Sequence, residues 1–224
     1  MNKEERETQL KEQLDAMLAY ERALWDKGVL FAGGVDEVGR GPLAGPVCAA
    51  CVVLPRDFSV LGVNDSKKLS EKKRGELYGQ IIEQALAYGI GLIGPARIDE
   101  VNILNATKEA MLVAIGDANR MLAGRGPEQE LLPAIGHLLV DAVRLPEAGI
   151  PGTAIVKGDE KSVSVAAASI VAKVTRDRIM MEFENIYPGY GFAKNKGYGT
   201  AEHYAGLSAL GLTPIHRRSF CRAL

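Results

Sequence analysis

Residues 33–46 read Gly-Gly-Val-Asp-Glu-Val-Gly-Arg-Gly-Pro-Leu-Ala-Gly-Pro, and the character of the whole chain turns on them. An apolar run, Val29–Val38, carries two carboxylates, Asp36 and Glu37, and then breaks into a glycine-rich turn. An acid at the end of a strand is held rigidly yet faces a cleft, where catalytic groups are usually placed. Neighbouring residues of a regular strand point to opposite faces. Asp36 and Glu37 therefore share a site only if the strand twists or ends there, or if one of them uses its main-chain carbonyl. The adjacent glycines permit that bend.

Two further acids repeat the pattern. Asp141 closes the apolar run His137–Asp141, and Asp159 follows Thr153–Val156 and precedes a helix. Asp159 taken alone could simply cap that helix, but three acids at the ends of three separate strands point to one cluster. Burying several carboxylates together is costly without a cation. Hard divalent ions, Mg²⁺ or Mn²⁺, are the natural partners of such an oxygen set. Asp177 lies between Arg176 and Arg178 inside a helix, where a local ion pair explains it. Asp65 and Asp99 are expected to serve a turn and a helix's first turn.

The turn Gly39-Arg40-Gly41 is no phosphate-binding P-loop, since neither Gly-Lys-Ser/Thr nor a helix follows. It can expose main-chain N–H and C=O groups to a sugar hydroxyl, which is both donor and acceptor. Residues 190–224 carry Lys194, Lys196, Arg217, Arg218 and Arg222 against Glu202 alone. Tyr187, Tyr190, Phe192, Tyr198, Tyr204 and Phe220 are interleaved with these cations. Rings stack on bases and sugars while cations meet phosphates. Asn64–Lys68 adds a second, smaller basic spot, and Glu71–Arg74 is expected to be the exposed side of its helix.

Working outward, Val47–Leu54 and Gly89–Gly94 have the texture of strands. Ser70–Tyr88, Arg97–Asn119 and Ser162–Ile186 have helical spacing. Ser70 is placed to cap the first of these helices. The alanines of Val165–Ala168 imply close packing by another element. Gly124–Pro133 resembles a linker, with parts of one sheet on either side. Residues 1–27 form an amphipathic helical extension, with Leu10, Leu14, Met17, Leu18, Leu24 and Trp25 on one face, and 28–224 form a single domain. Strands first, then strands alternating with helices, give an α/β class with a mixed sheet.

Composition narrows the classes. The 224 residues are 47% hydrophobic and 25% charged, which suits a globular domain and excludes a disordered chain or a collagen-like fibre. No apolar run approaches the ~20 residues of a membrane span. The charged N-terminus does not resemble a secretory signal, so a cytoplasmic location is expected. Net charge is −1, so a nucleic-acid partner has to be argued locally. The three cysteines suit a reducing compartment. Cys48 and Cys51 have metal-site spacing, but on a strand they face opposite ways and read as core. His137, His203 and His216 have no nucleophile to serve.

In order along the chain, Asp-Glu-Val-Gly-Arg-Gly-Pro-Leu-Ala-Gly-Pro, Asp-Ser-Lys-Lys-Leu, Leu-Leu-Val-Asp, Lys-Gly-Asp-x-Lys-Ser, Ala-Ala-Ser-Ile-Val-Ala-Lys-Val-Thr-Arg-Asp and Lys-Gly-Tyr-Gly-Thr resemble bacterial ribonuclease HII, from about residue 31 to His216–Phe220. The first 30 residues lie outside the resemblance. It implies a ribonuclease H-like fold, with a central mixed five-stranded sheet, flanking helices and a helical C-terminal segment. It implies that Asp36, Glu37, Asp141 and Asp159 hold the Mn²⁺ or Mg²⁺ ions, that Gly39, Arg40 and Gly41 sense the ribose 2′-hydroxyl, and that Tyr198 stacks on the following sugar. The expected substrates are RNA/DNA hybrids and duplex DNA containing single ribonucleotides, nicked on the 5′ side to leave a 3′-hydroxyl and a 5′-phosphate. The enzyme is expected to act as a monomer. The alternatives are a metal-dependent DNA nuclease of the resolvase or transposase kind, and a hybrid-binding module without catalysis.

Overall fold

The computed structural model describes residues 2–124 and 134–221; the linker read at Gly124–Pro133 lies, Gly124 apart, outside them, as does Arg222. Two helices, α1 (Lys3–Met17) and α2 (Ala19–Trp25), lead into β1 (Ala32–Val38) and β2 (Val47–Val53). Then come α3 (Glu71–Gln84), β3 (Ala87–Ile93), α4 (Pro95–Ala123), β4 (His137–Asp141) and β5 (Gly152–Ile155). A helical turn, α5 (Gly158–Lys161), precedes the long α6 (Val163–Ile186), with α7 (Phe192–Asn195) and α8 (Ala201–Leu210) after it.

The five strands form one sheet in the order β3-β2-β1-β4-β5. β1 and β2 pair antiparallel, as do β2 and β3, whereas β1 with β4 and β4 with β5 run parallel. The mixed sheet read from the sequence is therefore present. Strand β2 is buried on both faces and so lacks polar alternation. Cys48, Ala50 and Val52 face α6, α3 and the α1–α2 junction, while Val47, Ala49, Cys51 and Val53 face α4. The two cysteines thus sit in opposite cores, and burial pushes each thiol up to about 12.

Helix α6 lies directly on β1. A Cβ at Gly34 would overlap the main chain of Ser164 and Val165, which accounts for the small residues on both elements. That contact sets the height of α6 above the strand bearing Asp36.

Strand and helix ends differ from the sequence reading by a few residues, and three differences have a clear physical cause or consequence. The N-terminal segment is two helices, broken at Leu18, with Met17, Leu18 and Leu24 buried. The helix read over Ser70–Tyr88 stops at Gln84, because Leu86 N–H bonds to Val53 O and draws the chain into the sheet. The stretch Ala85–Tyr88 fits either periodicity, and the open edge of β2 decides between them. Helix α4 is interrupted at Asn102 (φ 67°), whose side-chain oxygen accepts from the N–H groups of Leu104 and Asn105 and restarts the helix. No helix among the described residues is long and apolar enough to cross a membrane.

Candidate active site

Strands β1 and β4 run parallel and their pairing ends at Val35 and Val140, so the next residues along, Asp36 and Asp141, emerge side by side, while β1 continues along β2 to Val38 and does not end at its acids as the sequence reading allowed. Ligands in open α/β sheets bind at the carboxyl ends of parallel strands. Asp36 is buried, and its Oδ1 accepts from the Glu37 N–H at 2.7 Å. Glu37 is half-buried and meets the Arg40 guanidinium at 3.4 Å. Asp141 Oδ1 accepts from Gly158 N–H at 2.7 Å, which ties the α5 turn bearing Asp159 to the end of β4.

The charges in this cluster perturb one another. Burial, with repulsion from Glu37 and Asp141, holds the Asp36 carboxyl well above the usual range, against an opposing hydrogen bond from Ser169. Burial also raises Glu37, despite Arg40. Asp159 is raised to about 6 by burial and by the neighbouring Asp65 and Asp141. Burial pulls Lys67 down, but Asp65, Asp36, Asp159 and Asp141 outweigh it and keep the ammonium charged. Carboxylates forced together in this way are a mark of functional sites.

The donor set fits a hard divalent cation. It is all carboxylate oxygen, largely buried, and Glu37 Oε2 has no hydrogen-bond partner. No three His, Cys, Asp or Glu side chains among the described residues are yet close enough to hold an ion between them. A bound cation would offset the cost of gathering such buried charges.

Beside the acids lies the turn Gly39–Gly41, held from beneath by two fully buried arginines. Arg217 donates to the carbonyls of Gly39 (2.6 Å), Arg40 (2.9 Å) and Gly45 (3.0 Å). Arg176 donates to those of Pro46 (2.9 Å), Lys196 (2.8 Å) and Ala44 (3.1 Å). Gly39 has φ 90°, and a Cβ there would run into the Arg176 side chain, so this glycine is required twice over. A Cβ at Gly41 would lie 3.5 Å from the Tyr198 ring, so turn and ring border one space.

Tyr198 is 46% exposed. Its main-chain oxygen accepts from His203 Nδ1, whose Nε2 lies 3.0 Å from His216 Nε2; Thr213 N–H donates to His216 Nδ1. This chain fixes both tautomers as neutral, consistent with burial lowering the two imidazoles, His216 to about 4.

Against this geometry several readings need correction. Arg217 was expected to meet phosphate; it is fully buried under the turn. Tyr190 and Phe192 stack in the core against His203 and His216, leaving Tyr198 and Tyr204 as the exposed rings. Asp177 pairs with Lys173 (2.7 Å) and Arg74 (3.9 Å), because its sequence neighbour Arg176 is turned inward to the turn. Asp99, near the start of α4, accepts from Arg218 and Ser219 and so anchors the C-terminal segment. Asp65 caps the turn at Ser66–Lys68, as expected, but also abuts Asp159. The sequence offers Lys67 only as part of a basic spot and Arg176 only as a neighbour of Asp177, with neither placed at the site. Arg176 had one signal, a cation at helical spacing between the buried Ala172 and Met180.

A model of the ribonuclease HII family matches residues 33–223. The chain belongs to the ribonuclease HII family. It is accordingly an enzyme, a nuclease of the ribonuclease H class, and the non-catalytic reading is set aside. A ribonuclease HII of Clostridioides difficile (strain 630) is 52% identical over 211 residues, 94% of this chain and 78% of that one. The crystal structure of ribonuclease H2 from Pyrococcus horikoshii OT3 matches with TM-score 0.65 and 30% identity, over 86% of this chain and 95% of its own. Ribonuclease HII of Archaeoglobus fulgidus, solved in complex with PCNA, matches with TM-score 0.64 and 26% identity, over 84% and 94%. The ribonuclease H-like fold anticipated from the sequence is thus the fold present.

Proposed function

We propose that this ribonuclease HII hydrolyses the RNA strand of RNA/DNA hybrids and nicks duplex DNA on the 5′ side of a single embedded ribonucleotide, removing misincorporated ribonucleotides. The products carry a 3′-hydroxyl and a 5′-phosphate. The observation that carries this reading is the shared border of two groups of residues: the carboxylates where the pairing of β1 with β4 ends, and the turn Gly39–Gly41 with Tyr198 beside it. One can do phosphodiester chemistry, and the other can read a sugar.

In this reading Asp36, Glu37, Asp141 and Asp159 hold two Mn²⁺ or Mg²⁺ ions. When bound, these ions activate a water and stabilise the leaving 3′-oxygen. The chain's own residues do the rest. Arg217 takes the carbonyls of Gly39 and Arg40, and Arg176 packs beneath Gly39 while holding the carbonyls of Ala44 and Pro46, so the turn's outer main-chain groups are fixed in place to meet a 2′-hydroxyl. Tyr198 offers its ring to the adjacent sugar, and its tether to His203 sets the ring's height. Lys67, charged among the acids, offsets repulsion between them and an incoming phosphate. One chain supplies every group, so a monomer suffices. Base identity is not read, because the turn meets the substrate through its backbone.

The test is cleavage of a labelled DNA duplex carrying one ribonucleotide beside an all-DNA control, in Mg²⁺, Mn²⁺ and EDTA. Metal-dependent nicking immediately 5′ of the ribonucleotide, absent from the control, is expected. Equal cutting of both duplexes would favour the DNA-nuclease alternative.

A further inference from the structure

Glu21 lies in α2, outside the stretch matched by the family model, and is buried to 1% exposure. Its Oε1 accepts three hydrogen bonds from residues more than 140 positions away: Ser162 Oγ at 2.6 Å, Ser164 Oγ at 2.6 Å and Ser164 N–H at 3.0 Å. Its Oε2 is buried and has no partner. Ser162 is the N-cap of α6, a 24-residue helix, so the carboxylate sits at the positive end of the helix dipole. A buried carboxylate serving only to fasten two helices together is an expensive fastener. Its location suggests a further role.

Ser162 is also the residue at which the α5 turn ends. Its N–H donates to Gly158 O at 2.8 Å, and Gly158 N–H in turn donates to Asp141 Oδ1 at 2.7 Å. Asp159 stands inside this closed turn. On its other side Ser164 is pressed against Gly34, two residues before Asp36. Glu21 therefore grips the junction between the helix that lies on Asp36's strand and the turn that carries Asp159.

We propose that Glu21 is a positioning residue for the acidic cluster: by holding Ser162 and Ser164 it fixes the α5 turn, and with it Asp159, relative to Asp141 and Asp36. The N-terminal helices thereby become part of the metal-binding apparatus. This rests on the reading that Asp159 takes part in holding a divalent ion.

The experiment measures Mn²⁺ binding by calorimetry on the full chain and on Glu21→Gln, Asp159→Asn and the double variant, with thermal melts alongside. Ser164→Ala, which removes one donor, provides a milder probe should Glu21→Gln fold poorly. Expected is about a tenfold loss of Mn²⁺ affinity in Glu21→Gln, a smaller loss in Ser164→Ala, and no further loss when Glu21→Gln is added to Asp159→Asn. Unchanged Mn²⁺ affinity with a lowered Tm would overturn the proposal and make Glu21 a structural tie. An equal loss in the Asp159→Asn background would overturn it too, because the effect would not pass through Asp159. If Asp159→Asn alone binds Mn²⁺ like the unaltered chain, the failure lies in the assignment of Asp159, and the proposal falls with it.

Discussion

Arg217 donates through Nη1 to the main-chain oxygen of Arg40 at 2.9 Å, so one arginine, wholly buried, carries the turn from which the other projects. Its other donors take Gly39 O and Gly45 O. A rigid fork satisfies three carbonyls at once, which a lysine ammonium on a flexible stem does not reproduce. No carboxylate among the described residues hydrogen-bonds to Arg217, and burial with the nearby Arg176 pulls it down to about 9, still charged at neutral pH.

Arg217→Lys is therefore expected to lower stability by about 2–3 kcal/mol, since buried carbonyls lose their donors. Cleavage at a single ribonucleotide should fall at least tenfold, while Mn²⁺ affinity stays unchanged because the acids are anchored elsewhere. Paired measurements of ribonucleotide-dependent nicking and Mn²⁺ binding check this. A parallel loss of both would place Arg217 beneath the acids as well as the turn.

Asp141→Asn should leave the fold intact and remove nearly all turnover. The amide oxygen can still accept from Gly158 N–H, so the tie between β4 and the α5 turn survives. What is lost is an anionic ligand, and even outer-sphere changes at metal sites cost about 10–100-fold. A drop of at least about 100-fold in turnover is expected, with a melt that is not lowered, since the lost charge also relieves repulsion on Asp36 and Asp159. Substantial residual activity would remove Asp141 from the metal site.

Tyr198→Phe and Tyr198→Ala separate two roles for this ring. The ring beside Gly41 is half-exposed, and its hydroxyl is not among the hydrogen-bonding groups fixed by the fold, so the ring face is the part offered to a ligand. Stacking of a base on an aromatic ring is worth about 1–3 kcal/mol by alanine substitution. If a sugar face gives a similar value, Tyr198→Ala should cut the response to an isolated ribonucleotide by roughly tenfold or more, while Tyr198→Phe retains most of it. Equal rates in all three proteins would end the stacking assignment.

Much of the fold was legible because local signals agreed with one another. Ser70 caps α3 as read, and the close packing implied by the alanines of α6 is present, with the main chain of Ser164 and Val165 against Gly34; the cap of α6 is Ser162, where the sequence offered Asp159. Asp36, Glu37 and Asp141 were legible because they lie in or close apolar runs, and Asp159 because it follows one. Other features were hidden for a physical reason: a side chain's partner is set by the fold, not by its neighbours in sequence. Arg217 looked like part of a basic tail, and only the approach of residues 215–217 to Leu43 and Gly45 turns it inward. Glu21 is one of many charges in an amphipathic segment and carries no signal of its own, and its partners lie more than 140 residues away. The end of α3 was ambiguous because Ala85 and Tyr88 suit a helix and a strand equally.

The acids also predict how metal-free stability responds to pH. Asp159 is raised to about 6 in the folded chain, against an ordinary value near 3.8. Below about pH 4 both folded and unfolded chains hold this proton, and the site costs nothing. Between about 4 and 6 the folded chain holds a proton that the unfolded chain has released, so stability falls as pH rises through that window and is level above it. Asp159→Asn removes the titration while keeping the side chain's shape. In EDTA the variant should therefore gain on the unaltered chain from pH 4 to 6 and keep a constant lead to pH 8. With solvent near the group, the lead should be ~1 kcal/mol, or about 2–4 °C in Tm. Saturating Mn²⁺ binds the ionised site in the folded chain alone and should reverse the order, stabilising the unaltered chain more. Melts of both proteins across this range, with and without Mn²⁺, decide the matter. A lead that does not change with pH would mean that Asp159 is not raised by its neighbours, and that the repulsion a cation is meant to relieve lies elsewhere in the cluster.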